Sequence, residues 1–129
     1  MSANVYILTN NPLAAEKYPE AVRRLECGVD GILQAARDEI HLGAVMIGHP
    51  LSGSIGIGET PCKSLVLSTR RGALDMQSIQ LIESALEAYR QTPPNPHHQL
   101  PPEILRDFQV IDLDLLDSAM KALPAQYHI

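Results

Sequence analysis

The strongest constraint on this chain is an interruption. Five of its eight glycines fall between Gly43 and Gly58. An apolar run, Ala44–Gly48, enters the segment, and a second, Ser64–Ser68, leaves it. A parallel crossover takes a dozen or more residues and normally a helix. Residues 49–61 have the length, but glycine spends too much backbone entropy to supply the helix. The flanking strands are therefore expected to be antiparallel neighbours, or not adjacent. In the antiparallel case the end of one strand meets the start of the next, which sets His49 near Thr60 and Lys63.

The rest of the chain alternates strands and helices. Val5–Leu8 is a short, continuously apolar run, suited to a strand covered on both faces. It ends at Thr9-Asn10-Asn11-Pro12, a turn sequence whose proline opens a brief helix over Leu13–Tyr18. Ala21–Cys27 fits either a helix or an outer strand. From Val29, apolar residues recur at helical spacing through Ile32, Leu33, Ala36 and Ile40, with Gln34, Arg37, Asp38 and Glu39 opposite. Gly43 falls just past the end of that helix. The clearest helix spans about Asp75–Gln91. Residues 92–102 are a proline-rich connection that can be neither regular helix nor central strand. Phe108–Ile111 reads as a last strand, and Asp114 as the N-cap of a final helix. The expectation is a single α/β domain over residues 1–129, a three-layer sandwich. Its sheet is mixed and mostly parallel, with four to five strands and flanking helices.

Composition excludes several roles. The net charge is −5, and the basic doublets Arg23-Arg24 and Arg70-Arg71 are isolated, so no stripe tracks a nucleic-acid backbone. Aromatic residues make up 4%, too few for base-stacking platforms. No apolar run nears the ~20 residues that cross a bilayer. Two cysteines, Cys27 and Cys62, make no disulfide framework, so the expectation is a cytoplasmic protein with reduced thiols. Neither a nucleic-acid nor a membrane partner is expected, and no cofactor.

The glycine-rich segment gathers the residues that could do chemistry. Backbone N–H groups turned inward by glycine form an anion-binding concavity. Ser52, Gly53, Ser54 and Thr60 would add donors there, and Lys63 a positive charge. Asn10 and Asn11, after the first strand, would share that edge with His49 if the two strands are parallel neighbours. The expected ligand-binding set is thus Asn10, Asn11, His49, Ser52, Gly53, Ser54, Thr60 and Lys63. His49, with Glu59 orienting it, is the candidate general base, since imidazole titrates near neutrality. Cys62 could be a nucleophile, but a single cysteine entering a strand is ordinarily core packing. Gly53, Gly56 and Gly58 show the dinucleotide spacing reversed, ahead of a strand instead of a helix, and a P-loop at Lys63-Ser64 would need glycine at Ile57 and Cys62. His97-His98 lacks neighbouring carboxylates or thiols, so no metal site is expected. Asp112, Asp114 and Asp117 read as helix capping and dipole residues.

The same residues carry a resemblance. Thr9-Asn-Asn-Pro12, His49-Pro-Leu-Ser-Gly-Ser54, Glu59-Thr-Pro-Cys-Lys-Ser64 and Leu81-Ile-Glu-Ser-Ala85 resemble the GrdX family over about Val5 to Arg90. Those are small proteins encoded beside components of glycine, sarcosine and betaine reductases in amino-acid-fermenting bacteria. The family often carries an aromatic residue where Cys62 stands, which weakens the thiol reading. Nothing after the proline segment enters the resemblance. It implies an accessory protein that binds a small anionic or carboxylate ligand, or a reductase component, through residues 49–64. The alternatives are a small enzyme acting on an amino-acid-derived or acyl-phosphate metabolite with His49 as general base, and a structural partner without a ligand. A homo-oligomer is compatible with each.

Overall fold

The computed structural model describes residues 3–48, 60–92 and 100–129. In chain order these form β1 (Val5–Thr9), α1 (Pro12–Lys17), β2 (Val22–Arg24), α2 (Val29–His41), β3 (Met46–Ile47), β4 (Ser64–Ser68), α3 (Met76–Gln91) and α4 (Pro102–Lys121). The α/β class holds, with one four-stranded sheet in the order β2-β1-β4-β3. β1 and β2 pair in parallel through α1. β4 is antiparallel to both of its neighbours, β1 and β3. The sheet is thus mixed, with one parallel and two antiparallel pairings. The reason is the one argued above: without a helix between them, β3 and β4 pair antiparallel. The ambiguous segment after Pro19 becomes β2, at the sheet edge.

Alternation along β1 and β4 sends side chains to opposite faces. Leu8, Leu65 and Leu67 join Ile32, Leu33 and Ile40 of α2 and Ile82, Ala85 and Leu86 of α3 in one apolar cluster. Val5, Ile7 and Val66 join Ala14 of α1 and Leu116 of α4 in another. Each large side chain buried this way contributes ~1.5–3 kcal/mol before conformational entropy is subtracted.

Local chemistry sets the helix ends. The Asn11 side chain accepts from the Leu13 amide and caps α1, with Pro12 in the first turn, where its missing N–H costs nothing. Asp75 caps α3 by accepting from the Ser78 amide. Gly43 follows α2 at φ +104°, and a Cβ there would clash with the Gly72 carbonyl oxygen. Only glycine fits both the left-handed backbone and that close approach.

Three expectations fail. Phe108–Ile111 is no strand, and Asp114 no N-cap, because both lie inside the 20-residue helix α4. A four-residue apolar run cannot be assigned by periodicity alone, and Pro101-Pro102 begins this helix instead of prolonging a connection. Glu39, expected on the outer face of α2, is 8% exposed. Its carboxylate receives Arg71 at 2.7 Å, Arg23 and the Tyr6 hydroxyl at 3.2 Å. One arginine from each basic doublet is thereby committed to structure. Burial opposes ionisation of Glu39, but the hydrogen bonds from Arg71 and Tyr6 and the Arg71 charge prevail, so its pKa lies below the ordinary value.

Candidate functional site

One sheet edge brings together the Thr9–Asn11 and Thr60–Ser64 segments. β1 and β3 both run antiparallel to β4, so they point the same way. The ends of β1 and β3 therefore lie beside the start of β4. They are not direct neighbours, as a parallel pairing would have made them, because β4 stands between. This edge holds Thr9, Asn10 and Asn11, then Ile47 and Gly48, then Lys63 and Ser64. His49, Ser52, Gly53, Ser54 and Glu59 fall outside the described residues.

Both asparagines are occupied by the protein. The Asn10 side-chain Oδ1 accepts the Lys63 backbone N–H at 2.9 Å, while its NH2 donates to the Cys27 and Pro61 backbone carbonyls at 2.8 and 3.1 Å. It ties the end of β1 to the start of β4 and to the entry of α2. Asn11 is fully buried. Besides capping α1, it donates to the Gln109 carbonyl and to Asp112 Oδ2, both at 2.9 Å. Thr60 closes a local turn, donating its hydroxyl to the Cys62 carbonyl at 3.0 Å.

Asp112 is the residue that the sequence reading missed. It is 7% exposed and anchors α4 on the sheet edge. Its Oδ2 accepts from the Ser64 hydroxyl at 2.7 Å and its Oδ1 from the Ser64 amide at 3.1 Å. The Ser64 hydroxyl also lies 2.7 Å from Thr9 Oγ1, and Thr9 Oγ1 accepts the Asn11 amide at 3.0 Å. The result is a closed polar network linking β1, β4 and α4 in a largely buried place, where satisfied hydrogen bonds strengthen one another. A second latch lies further along α4, where Asp117 receives Lys17 at 2.7 Å and the Tyr18 hydroxyl. The signal for Asp112 was available. A helix drawn from Pro102 places it one turn before Leu116, on the buried side.

A cavity of about 320 Å³ opens between α4 and the β3–β4 edge. Met46, Ile47, Leu115 and Leu116 supply apolar wall, and Lys63, Ser64 and Asp112 the chemistry. This is the small end of the ~300–1,000 Å³ range of ligand pockets. Lys63 is 9% exposed. Among the described residues its ammonium has no oxygen or nitrogen hydrogen-bond partner within 3.5 Å and no ion-pair partner within 4.0 Å. Burial lowers its pKa, against the opposing pull of Asp112 and Cys62. Cys62, 4% exposed, is pushed up to about 12, first by burial and then by Asp112. A thiol so protonated is a poor nucleophile.

A protein-family model described as "GrdX-like protein" matches residues 6–121. The chain belongs to this family. The match runs through α4, so the helix that carries Asp112 is part of the family pattern and not an appendage after the prolines. No curated protein and no solved structure matches the chain. Among the described residues of this GrdX-like protein, no group of three or more His, Cys, Asp or Glu could hold a metal ion. No described helix is long and apolar enough to cross a membrane.

Proposed function

We propose that this GrdX-like protein is an accessory binding module of a glycine-, sarcosine- or betaine-reductase system, holding a small anionic or carboxylate ligand between α4 and β4. The observation that carries the proposal is Lys63, a nine-tenths buried ammonium without an ion-pair partner among the described residues, lining a cavity. Buried charges are ordinarily paired, and a ligand anion would complete this one. Asn10 and Asn11 act here as positioning residues. They hold the Lys63 backbone and Asp112 in place, and leave ligand contact to Lys63 and the residues beside it. The enzyme alternative rests on His49 and Glu59, outside the described residues. Docking on a reductase component draws support from α4, whose outer surface exposes Ile104, Val110 and Ile111.

Thermal melts of the wild type and of Lys63→Met test the proposal. The compounds are acetate, phosphate, acetyl phosphate, glycine, sarcosine and betaine. Methionine keeps the stem volume and removes the charge. A ligand at one hundred times its dissociation constant stabilises by ~2.7 kcal/mol, which is readily visible as a shift in melting temperature. The expected result is a shift in the wild type that is lost in the variant. No shift with any compound, or equal shifts in both proteins, overturns the reading.

A further inference from the structure

Lys63 has a second chemical capacity, which rests on its place in the same cavity. We infer that Lys63 is a carbonyl-reactive amine, able to form a reversible imine with a small aldehyde or 2-oxo acid admitted between α4 and β4. A lysine usually keeps its ammonium in water and buries only its stem. Lys63 is nine-tenths buried, and no carboxylate lies within ion-pair distance of its nitrogen among the described residues. A paired ammonium is held protonated, whereas an unpaired one in a buried wall can release its proton and expose the nitrogen lone pair. The direction of its pKa agrees, since burial outweighs the two nearby acids.

The surroundings suit the reaction. Asp112 lines the cavity with Lys63, and its charge is felt at the lysine. Its carboxylate is held in place by Ser64 and Asn11. It would stabilise a cationic product and relay protons through water. The volume of about 320 Å³ suits a compound of a few heavy atoms.

The steps balance without an oxidant or reductant. The neutral nitrogen lone pair attacks the carbonyl carbon, and the C=O π pair moves to oxygen, which takes a proton as nitrogen loses one. The resulting carbinolamine hydroxyl takes up a proton and leaves as water while the nitrogen lone pair forms the C=N bond, and loss of the remaining N–H proton returns the proton consumed. Amine plus carbonyl thus gives imine plus water. Protonated, the imine carries the same single positive charge as the ammonium it replaces, so a carboxylate on the ligand loses no counter-charge.

The test is reductive trapping on the full chain. The protein is incubated with pyruvate and cyanoborohydride at neutral pH, and each lysine is read by peptide mass spectrometry. The chain has three lysines, Lys17, Lys63 and Lys121, so two serve as internal controls. The expected result is an adduct on Lys63 in marked excess over the other two. It is absent from Lys63→Arg, a variant whose fold is verified by circular dichroism. No adduct on Lys63, or equal labelling of all three, overturns the inference. Lactate, with the same skeleton but no carbonyl, separates this from anion binding. Stabilisation by lactate without trapping by pyruvate leaves the binding module and removes the imine. Selective trapping without stabilisation by lactate leaves the imine and removes the anion site.

Discussion

Replacing Asp112 by alanine removes the acceptor that joins α4 to the sheet edge. Three donors lose it: the Asn11 side-chain NH2, the Ser64 hydroxyl and the Ser64 backbone N–H. Hydrogen bonds to a charged group are worth ~1.5–3 kcal/mol each, but the three losses are unequal. Asn11 retains the Gln109 carbonyl and Ser64 Oγ retains Thr9, so those two fall at or below the lower bound. Water entering the adjoining cavity and relief from burying a carboxylate offset part of the rest. A net loss of ~3 kcal/mol follows. With an unfolding entropy near 2.1 cal/mol/K per residue over 129 residues, each kcal/mol moves the melting temperature by about 4 °C. The variant should therefore melt about 11 °C lower. Urea unfolding followed by circular dichroism measures the free energy directly. A double-mutant cycle with Ser64→Ala should return a coupling of at least ~1 kcal/mol. A loss below ~1 kcal/mol, or additive single effects, would refute the view of Asp112 as the anchor of α4.

Three further outcomes are expected. Glu39→Gln should cost ~2 kcal/mol at neutral pH, the buried-pair penalty discounted for its partly exposed arginines. Because the folded pKa of Glu39 is depressed, its stabilisation is present above the ordinary value of 4.5 and fades as pH falls through the folded value. The stability gap between wild type and variant should therefore narrow below about pH 4.5, and urea midpoints across that range would expose a constant gap as the contrary result. Gly43→Ala should lose at least ~2 kcal/mol from the left-handed backbone and the clash with Gly72; a neutral outcome in thermal melts would show that the α2 exit relaxes freely. Cys27 is exposed and Cys62 buried with a raised pKa, so native protein should alkylate at Cys27 and reach Cys62 only on unfolding. Comparable native labelling of both thiols by mass spectrometry would contradict the packed environment of Cys62.

What the sequence determined by itself was mostly local. The Thr9–Pro12 turn, the run from Val29 to Gly43 and the helix beginning near Asp75 are written in residues that touch one another along the chain, and each appears where short-range chemistry puts it. The antiparallel pairing of β3 and β4 was also legible, because a glycine-rich link denies the helix that a parallel return would need. What only the tertiary structure decided concerns partners far apart in the chain. Phe108–Ile111 has strand-like composition, yet it is helical because Leu116 packs on the sheet and Asn11 holds the Gln109 carbonyl and Asp112, which together favour one continuous α4. Glu39 looks solvated on a helical wheel and is buried because Arg23 and Arg71 arrive from other elements. Asp112 looks like a capping residue until α4 is laid across the sheet edge. Lys63 was visible as a charge, but its burial beside Asp112 follows from long-range packing that no local pattern encodes.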